Sequence, residues 1–210
     1  MSRHGWWTER VVPRLVDASL GNAEIGRRRH IACQGLHGRV LEVGFGSGLN
    51  LPYLPAEVSA VDAVEPSDLA WERSEARRAE ADGVTIARVG LDGTRIDVVD
   101  ASYEAALITF SLCTIPDPAQ ALAEVHRALR GGGTLHVLEH GLAPTERTRR
   151  WQRRLEPVQR AVAGGCHLTR DPVALITAAG FRIDDVEHEF LGGGPARPWT
   201  YLTRLSATLT

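Results

Sequence analysis

The chain of 210 residues has no lysine, few cysteines and little net charge. All 24 basic side chains are arginines, which we interpret as the coding bias of a GC-rich genome. A formal charge of -2 gives no global field that would draw the protein onto nucleic acid or an anionic membrane. Cys33, Cys113 and Cys166 are widely spaced and form neither a C-x-x-C pair nor a cysteine and histidine pattern typical of zinc sites. We therefore expect a reduced protein without a metal ion.

Long hydrophobic runs are also absent. The longest apolar segments, such as residues 105–108, are far shorter than the roughly 20 residues that span a membrane. The first ten residues lack the apolar stretch of a signal peptide. These absences predict a cytoplasmic protein with no membrane anchor. The length and the 43% hydrophobic content suit one globular domain.

The most informative segment of the sequence is a glycine-rich loop at residues 40–50. An apolar run at residues 40–43 leads into Gly44, Gly46 and Gly48, which occupy every second position. Such a loop lets backbone N–H groups approach a ligand closely, and at a strand-to-helix junction they lie at the positive end of the helix dipole. The segment therefore predicts a nucleotide-binding loop.

The spacing of the glycines indicates which nucleotide is bound. A dinucleotide site requires a third glycine five positions after the first, where this chain has Leu49. Glu42 and the three glycines instead form E-x-G-x-G-x-G, which resembles the first motif of class I S-adenosylmethionine-dependent methyltransferases. This resemblance implies methyl transfer rather than hydride transfer.

Short apolar runs alternate with helical patterns after residue 38. Predicted strands at 40–43, 58–64, 84–89, 105–110 and 134–139 indicate βαβ units and a parallel sheet. Two further strands, at 180–183 and 200–205, match the antiparallel hairpin usual in this methyltransferase fold. The expected fold class is α/β, a Rossmann-like and mostly parallel seven-stranded sheet with helices on both faces.

The helical patterns complete the predicted organisation. Residues 6–34 form one or two helices, and a helix from Asp117 to Arg130 is capped by Asp117 and terminated by Gly131. The predicted single domain, 1–210, comprises an N-terminal helical cap at 1–37, a cofactor-binding core at 38–140, an acceptor-side insertion at 141–171, and a helix and strands at 172–210.

Acidic residues after the glycine loop complete the predicted cofactor site. Glu65, at the end of the second strand, is expected to accept hydrogen bonds from a ribose diol, with Asp62 as its competitor. Asp92 is expected to accept from the adenine amino group, as in families of this kind. The alternative is that these acids are solvated loop residues.

The resemblance implies S-adenosyl-L-methionine as cofactor and S-adenosyl-L-homocysteine as product. The implied cofactor-binding residues are Glu42, Gly44, Phe45, Gly46, Gly48, Asn50, Glu65, Pro66, Asp92, Gly93, Ser111 and Leu112.

The insertion carries a second, more specific resemblance. Glu139-His140, Trp151, Glu156-Pro157 and the G-C-x-L-T-R sequence at 165–170 resemble the thiol S-methyltransferase-like family of microsomal methyltransferase-like proteins and their bacterial relatives. That family implies a small-molecule acceptor such as an alkyl thiol or hydrogen sulfide. Two departures stand out: Phe45 replaces the cysteine expected in Gly-x-Gly, and we expect no counterpart of the membrane-anchoring amino-terminal helix of the eukaryotic members. A soluble bacterial relative with another acceptor is the alternative.

The candidate acceptor pocket leaves several roles open. Its candidate residues are Cys113, His140, Trp151, His167 and Arg170. His140 is either a proton acceptor or a residue that closes a loop, and Cys113 is favoured as a small buried residue over a nucleophile. Arginines between 147 and 160 are interpreted as the solvated face of an amphipathic helix kinked at Pro157. The alternative is a phosphate-binding strip for nucleic acid or phospholipid headgroups.

Three function hypotheses follow from these patterns. The first is methylation of a small-molecule thiol, with a quinone, phenol, amine or phospholipid headgroup as the alternative acceptor. The second is a non-catalytic protein that binds S-adenosylmethionine as a sensor or scaffold. The third is a nucleic-acid methyltransferase. The sequence does not indicate the oligomeric state.

Overall fold

Seven β-strands form one mixed sheet in a computed structural model that describes residues 10–210. Its strand order is β3-β2-β1-β4-β5-β7-β6, with parallel pairing from β3 to β5 and antiparallel pairing of β7 with both β5 and β6. The strands are β1 (Gly38–Val43), β2 (Val58–Val64), β3 (Thr85–Gly90), β4 (Tyr103–Thr109), β5 (Leu129–His140), β6 (Phe181–Phe190) and β7 (Tyr201–Leu209). The predicted fold class is confirmed.

Helices precede the sheet and connect its strands. They are α1 (Val12–Leu20), α2 (Ala23–Cys33), α3 (Asp68–Arg73), α4 (Glu75–Glu80), α5 (Pro118–Ala128), α6 (Glu146–Val162), α7 (Pro172–Ala178) and α8 (Arg197–Thr200), with 3-10 turns at Leu51–Tyr53 and Gly194–Ala196. Of the one or two helices expected within 6–34, two are present in the described part of the chain, and residues 6–9 lie outside it.

Side-chain caps set where several helices begin. The Asn22 side chain accepts from two N–H groups at the start of α2, and Asp117 accepts from the Gln120 N–H at the start of α5. The predicted end of α5 at Arg130 was wrong, because the helix stops at Ala128 and Gly131 lies within β5. Leu129 adopts an extended conformation there and buries its side chain in the core.

The sheet is covered on both faces, as expected for parallel strands in an α/β protein. Neighbouring β1 residues point to opposite sides: Leu41 packs in a cluster with Leu122 of α5, while Val40 packs in a second cluster with Cys33 of α2. The carboxyl ends of β1, β2 and β4 meet at one edge of the sheet, which is where ligands of open α/β folds bind.

Helix α6 is held to the protein by a polar contact. Gln152 is fully buried, and its amide accepts from the Ala143 N–H at 3.0 Å and donates to the Gly141 carbonyl oxygen at 2.9 Å. Trp151, by contrast, is 50% exposed. The apolar side chains that recur at helical spacing in α6 therefore do not all face the core. The buried side chain that anchors the helix is the amide of Gln152. Pro157 lies inside the helix, as expected.

Candidate active site

A cavity of about 570 Å³ lies at the carboxyl edge of the sheet. It is bounded by the glycine loop, the ends of β2 and β4, helix α1 and the turn after α6. Eight of the predicted cofactor-binding residues line it: Gly44, Phe45, Gly46, Glu65, Pro66, Asp92, Gly93 and Ser111. The other four, Glu42, Gly48, Asn50 and Leu112, lie outside the cavity lining.

Two glycines of the loop serve different physical purposes. Both have positive φ, +82° for Gly44 and +61° for Gly46, which side-chain-bearing residues rarely adopt. A Cβ on Gly44 would lie 1.8 Å from Ser111 Oγ, so this glycine permits the close packing of β1 against the β4 loop. A Cβ on Gly46 would meet nothing within 4 Å. Gly46 therefore keeps the backbone open toward the cavity.

Glu65 is buried at the end of β2 and organises the glycine loop. Its Oε2 accepts from the Gly46 N–H at 2.6 Å, and its Oε1 accepts from the Ser67 N–H at 2.7 Å. Burial raises the pKa of this carboxyl above its usual range, against the lowering effect of the two N–H donors. Asp62, the sequence competitor, is absent from the cavity lining and binds Arg39 and Tyr103. Of the two acids, Glu65 therefore faces the cavity and Asp62 does not.

Asp92 lies on the rim of the same cavity. Its Oδ1 accepts from the Thr94 N–H at 2.8 Å and the Thr94 hydroxyl at 2.7 Å. These hydrogen bonds lower the pKa of the Asp92 carboxyl. It is exposed on the cavity rim, where it remains accessible to a donor such as an adenine amino group.

A buried polar network lies beneath the glycine loop. Glu42 Oε1 accepts from Asn50 Nδ2 at 2.7 Å, and Arg29 Nη1 donates to Asn50 Oδ1 at 2.7 Å and to Thr109 Oγ1 at 2.9 Å. Arg29 also lines the cavity, although it was not among the predicted site residues. In the sequence it is part of a basic run at residues 27–30, which indicates no single role. The missed signal is helical spacing, since Arg29 falls on the buried face of α2 between Ile25 and Cys33.

Glu42 makes a pH-dependent contribution to stability. Burial raises its pKa to about 8, although the Asn50 hydrogen bond and the Arg29 charge lower it in part. The folded protein thus keeps a proton that the unfolded chain releases near its ordinary pKa of about 4.3. Stability from this group should fall as pH rises from about 4.3 toward 8. We expect the Glu42→Gln variant to gain stability relative to the parent protein across this window in urea denaturation.

A matched variant controls for the loss of a carboxylate. Glu80 is exposed on α4, so the difference between Glu80→Gln and the parent protein should vary little over the same pH range. Parallel stability curves for Glu42→Gln and the parent protein would show that Glu42 does not hold this proton.

The predicted acceptor residues cluster behind the cavity wall rather than in it. None of Cys113, His140, Trp151, His167 and Arg170 is among the residues that line the cavity. Arg170 donates to the carbonyl oxygens of Leu112 and Ile115, and His167 Nδ1 lies 2.8 Å from Glu156 Oε1. The Arg170 side chain therefore supports the loop after β4, whereas the His167 side chain contacts α6. The same loop is held from beneath by buried Glu139, which accepts from the N–H groups of Ser111 and Leu112.

The actual wall on this side comes largely from helix α1. Val12, Val16 and Leu20 line the cavity together with Ile115 of the β4 loop. No described residue of α1 is fully buried, and Asp17 ties the helix to the body by accepting from Arg73 Nε at 2.7 Å and from Ser47 Oγ. Sequence reasoning predicted a helical cap but not which of its side chains face the cavity.

The residues present fit S-adenosylmethionine. A cavity of about 570 Å³ is within the usual range for small-molecule sites. The Glu65 carboxylate would accept from the ribose diol, Asp92 would accept from the adenine amino group, and the Gly46 backbone leaves open space for close approach. The Arg29 guanidinium would supply positive charge for the carboxylate of the methionine tail.

Comparison with known proteins defines the class to which this site belongs. Residues 41–137 match the family model described as "Methyltransferase domain". This match confirms the resemblance to S-adenosylmethionine-dependent methyltransferases predicted from the sequence, a family and fold that imply S-adenosylmethionine as the cofactor.

Particular relatives share this region. The chain is 31% identical to thiol S-methyltransferase TMT1B of Rattus norvegicus over 138 residues. This aligned region covers 63% of this chain and 55% of that protein. It is 32% identical over 132 residues to a phosphatidylethanolamine N-methyltransferase of Cereibacter sphaeroides, with 60% and 63% covered. The chain thus spans less than two thirds of the length of both relatives. A solved methyltransferase from Thermotoga maritima has the same fold, with a TM-score of 0.69, 21% identity, and 98% and 100% of the two chains covered.

Within 10–210, each helix is too short or too polar to cross a bilayer.

Proposed function

We propose that this protein transfers the methyl group of S-adenosylmethionine to the sulfur of a small, apolar thiol. When bound, the cofactor would supply a methyl group activated on a sulfonium. The acceptor sulfur would take up this methyl group in line, with S-adenosylhomocysteine as the leaving group and the thiol proton released to solvent. The chain's own residues would align the acceptor and exclude water from it. The likeness of residues in this chain to a thiol S-methyltransferase supports the choice of acceptor.

The main support for this proposal is that the carboxylates in the cavity wall already have partners. Three line the cavity. Asp17 binds Arg73, Glu65 binds the glycine loop, and Asp92 binds Thr94 through one oxygen while its other oxygen is assigned to the cofactor's adenine. No histidine lines the cavity within the described part of the chain. The wall thus lacks a free general base, and it is otherwise apolar on the side of α1.

A thiol is the acceptor class that this wall suits best. A thiol ionises with a pKa of about 8.5, whereas phenol and alkylamine groups require a pH of about 10 to lose a proton. A useful fraction of thiolate thus exists near neutral pH without a base.

The pH dependence of the reaction tests this assignment. We expect kcat/KM for alkyl thiols to rise about tenfold per pH unit below the pKa of the acceptor thiol itself. Two thiols of different pKa should give profiles displaced by the difference between their pKa values. An apparent pKa that is the same for all thiols would instead reveal a base in the protein and contradict the proposed absence of one.

A panel of acceptors tests the class of reaction. Purified protein would be incubated with methyl-labelled cofactor and with matched thiols, phenols and amines. The expected result is label on the thiols. Label that stays wholly on the cofactor would indicate a binding protein without turnover, and label on a phenol or amine alone would overturn the choice of acceptor.

Two neighbouring residues of α1 locate the acceptor. Val16 lines the cavity, whereas Leu15 does not and is 51% exposed on the same helix. We expect Val16→Glu to raise KM for apolar thiols by about tenfold, because it puts a charge into the apolar wall. Leu15→Glu should leave KM unchanged. Equal KM values for both variants would place the acceptor away from α1.

A further inference from the structure

Three side chains that are distant in sequence meet behind the cavity wall. Cys113 lies in the loop after β4, His140 ends β5, and Cys166 lies in the loop after α6. The candidate ligand atoms of these residues all lie within 4.8 Å of one another, and His140 Nε2 is 3.0 Å from Cys166 Sγ. The two loops are joined at this point by a 2.8 Å hydrogen bond from the His167 N–H to the Cys113 carbonyl oxygen.

The chemistry of the three groups matches a thiophilic metal ion. Two cysteine sulfurs and one imidazole nitrogen are typical zinc ligands. With Zn–S bonds of about 2.3 Å and Zn–N bonds of about 2.0 Å, tetrahedral ligand atoms lie roughly 3.5 Å apart. The observed cluster therefore needs only small side-chain movements to surround an ion. A fourth ligand such as water would complete the tetrahedron around the ion.

The surroundings of the cluster favour a charged metal centre over simple packing. Both sulfurs are buried, and two buried thiolates are neutralised by one divalent cation. Gln159 Nε2 lies 3.4 Å from Cys166 Sγ and would support a thiolate ligand. The Arg170 guanidinium is directed instead to the carbonyl oxygens of Leu112 and Ile115.

We propose that Cys113, His140 and Cys166 bind one Zn²⁺ ion that fixes the back of the methyl-transfer cavity. The ion would connect two segments that form the wall, since Thr114 and Ile115 follow Cys113 and Gly164 precedes Cys166. This role differs from catalysis, because none of the three ligands lines the cavity. The sequence showed no such site, since its three ligands are spread over separate elements.

Cobalt substitution tests the site directly. The full chain would be prepared reduced and metal-free, then titrated with Co²⁺. We expect one Co²⁺ per chain, with thiolate-to-cobalt charge-transfer absorption and the visible bands of tetrahedral cobalt, all abolished by added Zn²⁺. Zn²⁺ should also raise the melting temperature in a concentration-dependent manner.

Cys33 provides a matched control because it is also buried and unpaired but lies outside the cluster. Cys113→Ala and Cys166→Ala should weaken Zn²⁺ binding by more than about 100-fold, since loss of a supporting contact alone costs about 10- to 100-fold. Cys33→Ala should bind like the parent protein. If the cluster variants fail to fold, the spectrum of the parent protein and of Cys33→Ala decides.

Two results would overturn the proposal. One is a folded, reduced parent protein that gives no thiolate-to-cobalt absorption. The other is loss of that absorption in Cys33→Ala while the cluster variants retain it. A mass lower by two hydrogens after mild peroxide treatment, together with no metal binding by the reduced chain, would identify Cys113 and Cys166 as a redox pair instead.

Discussion

Replacement of Gly46 by valine is expected to weaken binding of S-adenosylmethionine by about 100-fold or more. The Cβ position of Gly46 faces open space in the cavity, so a valine side chain would occupy volume that the cofactor needs. Steric interference of about 3 kcal/mol corresponds to roughly that change in Kd. Isothermal titration calorimetry with S-adenosylhomocysteine measures the effect without turnover.

Gly132 supplies the control for backbone strain. It too has positive φ, +76°, and open space around its Cβ position, but it lies in β5 and not in the cavity lining. Both substitutions should destabilise the fold by about 1 to 2 kcal/mol through the left-handed conformation. Only Gly46→Val should lose the cofactor. Equal affinities in the two variants would show that the cofactor does not approach the loop at Gly46.

Replacement of Glu65 by alanine is expected to have a comparably large effect on cofactor affinity. The change removes the carboxylate proposed to accept from the ribose diol, and it leaves the N–H groups of Gly46 and Ser67 without their acceptor. Hydrogen bonds to a charged group contribute about 1.5 to 3 kcal/mol each, so Kd should rise by about 100-fold. Glu65→Gln, which keeps one acceptor oxygen, should fall between the parent protein and Glu65→Ala.

Asp62 is the matched acid for this experiment. It is equally buried, three residues earlier in the chain, but its carboxylate binds Arg39 and Tyr103 outside the cavity. Asp62→Ala should lower the free energy of unfolding and leave cofactor affinity unchanged. The opposite result, with affinity lost in Asp62→Ala and kept in Glu65→Ala, would show that Asp62 and not Glu65 makes the ribose contact.

The sheet was predictable because its strands are short apolar runs separated by strong turn signals. The start of β5 could not be predicted in this way, because residues 130–133 have the composition of a turn. The strand nevertheless begins at Leu129, whose side chain packs into the core. The length of β6 was also underestimated. Its residues from Asp184 to Glu189 are exposed at the sheet edge, so hydrophobic alternation, the signal used for strands, is missing there.

The candidate site was predictable only where its residues adjoin the glycine loop or a strand end. Glu65 and Asp92 follow β2 and β3 directly, so the topology places them at the correct edge. Helix α1 and Arg29 reach the cavity by tertiary packing from a segment that precedes the whole sheet. His140 is at a strand end, yet it turns toward Cys166 and away from the cavity, a distinction that depends on side-chain direction.

The way α1 is attached has a consequence for ligand capture. The helix contributes the apolar wall but has no fully buried side chain, and the Asp17 carboxylate joins it to Arg73 and Ser47. An attachment made by partly exposed charges weakens as dissolved ions screen it. The retention of an apolar acceptor should therefore respond to ionic strength, although the acceptor itself carries little charge.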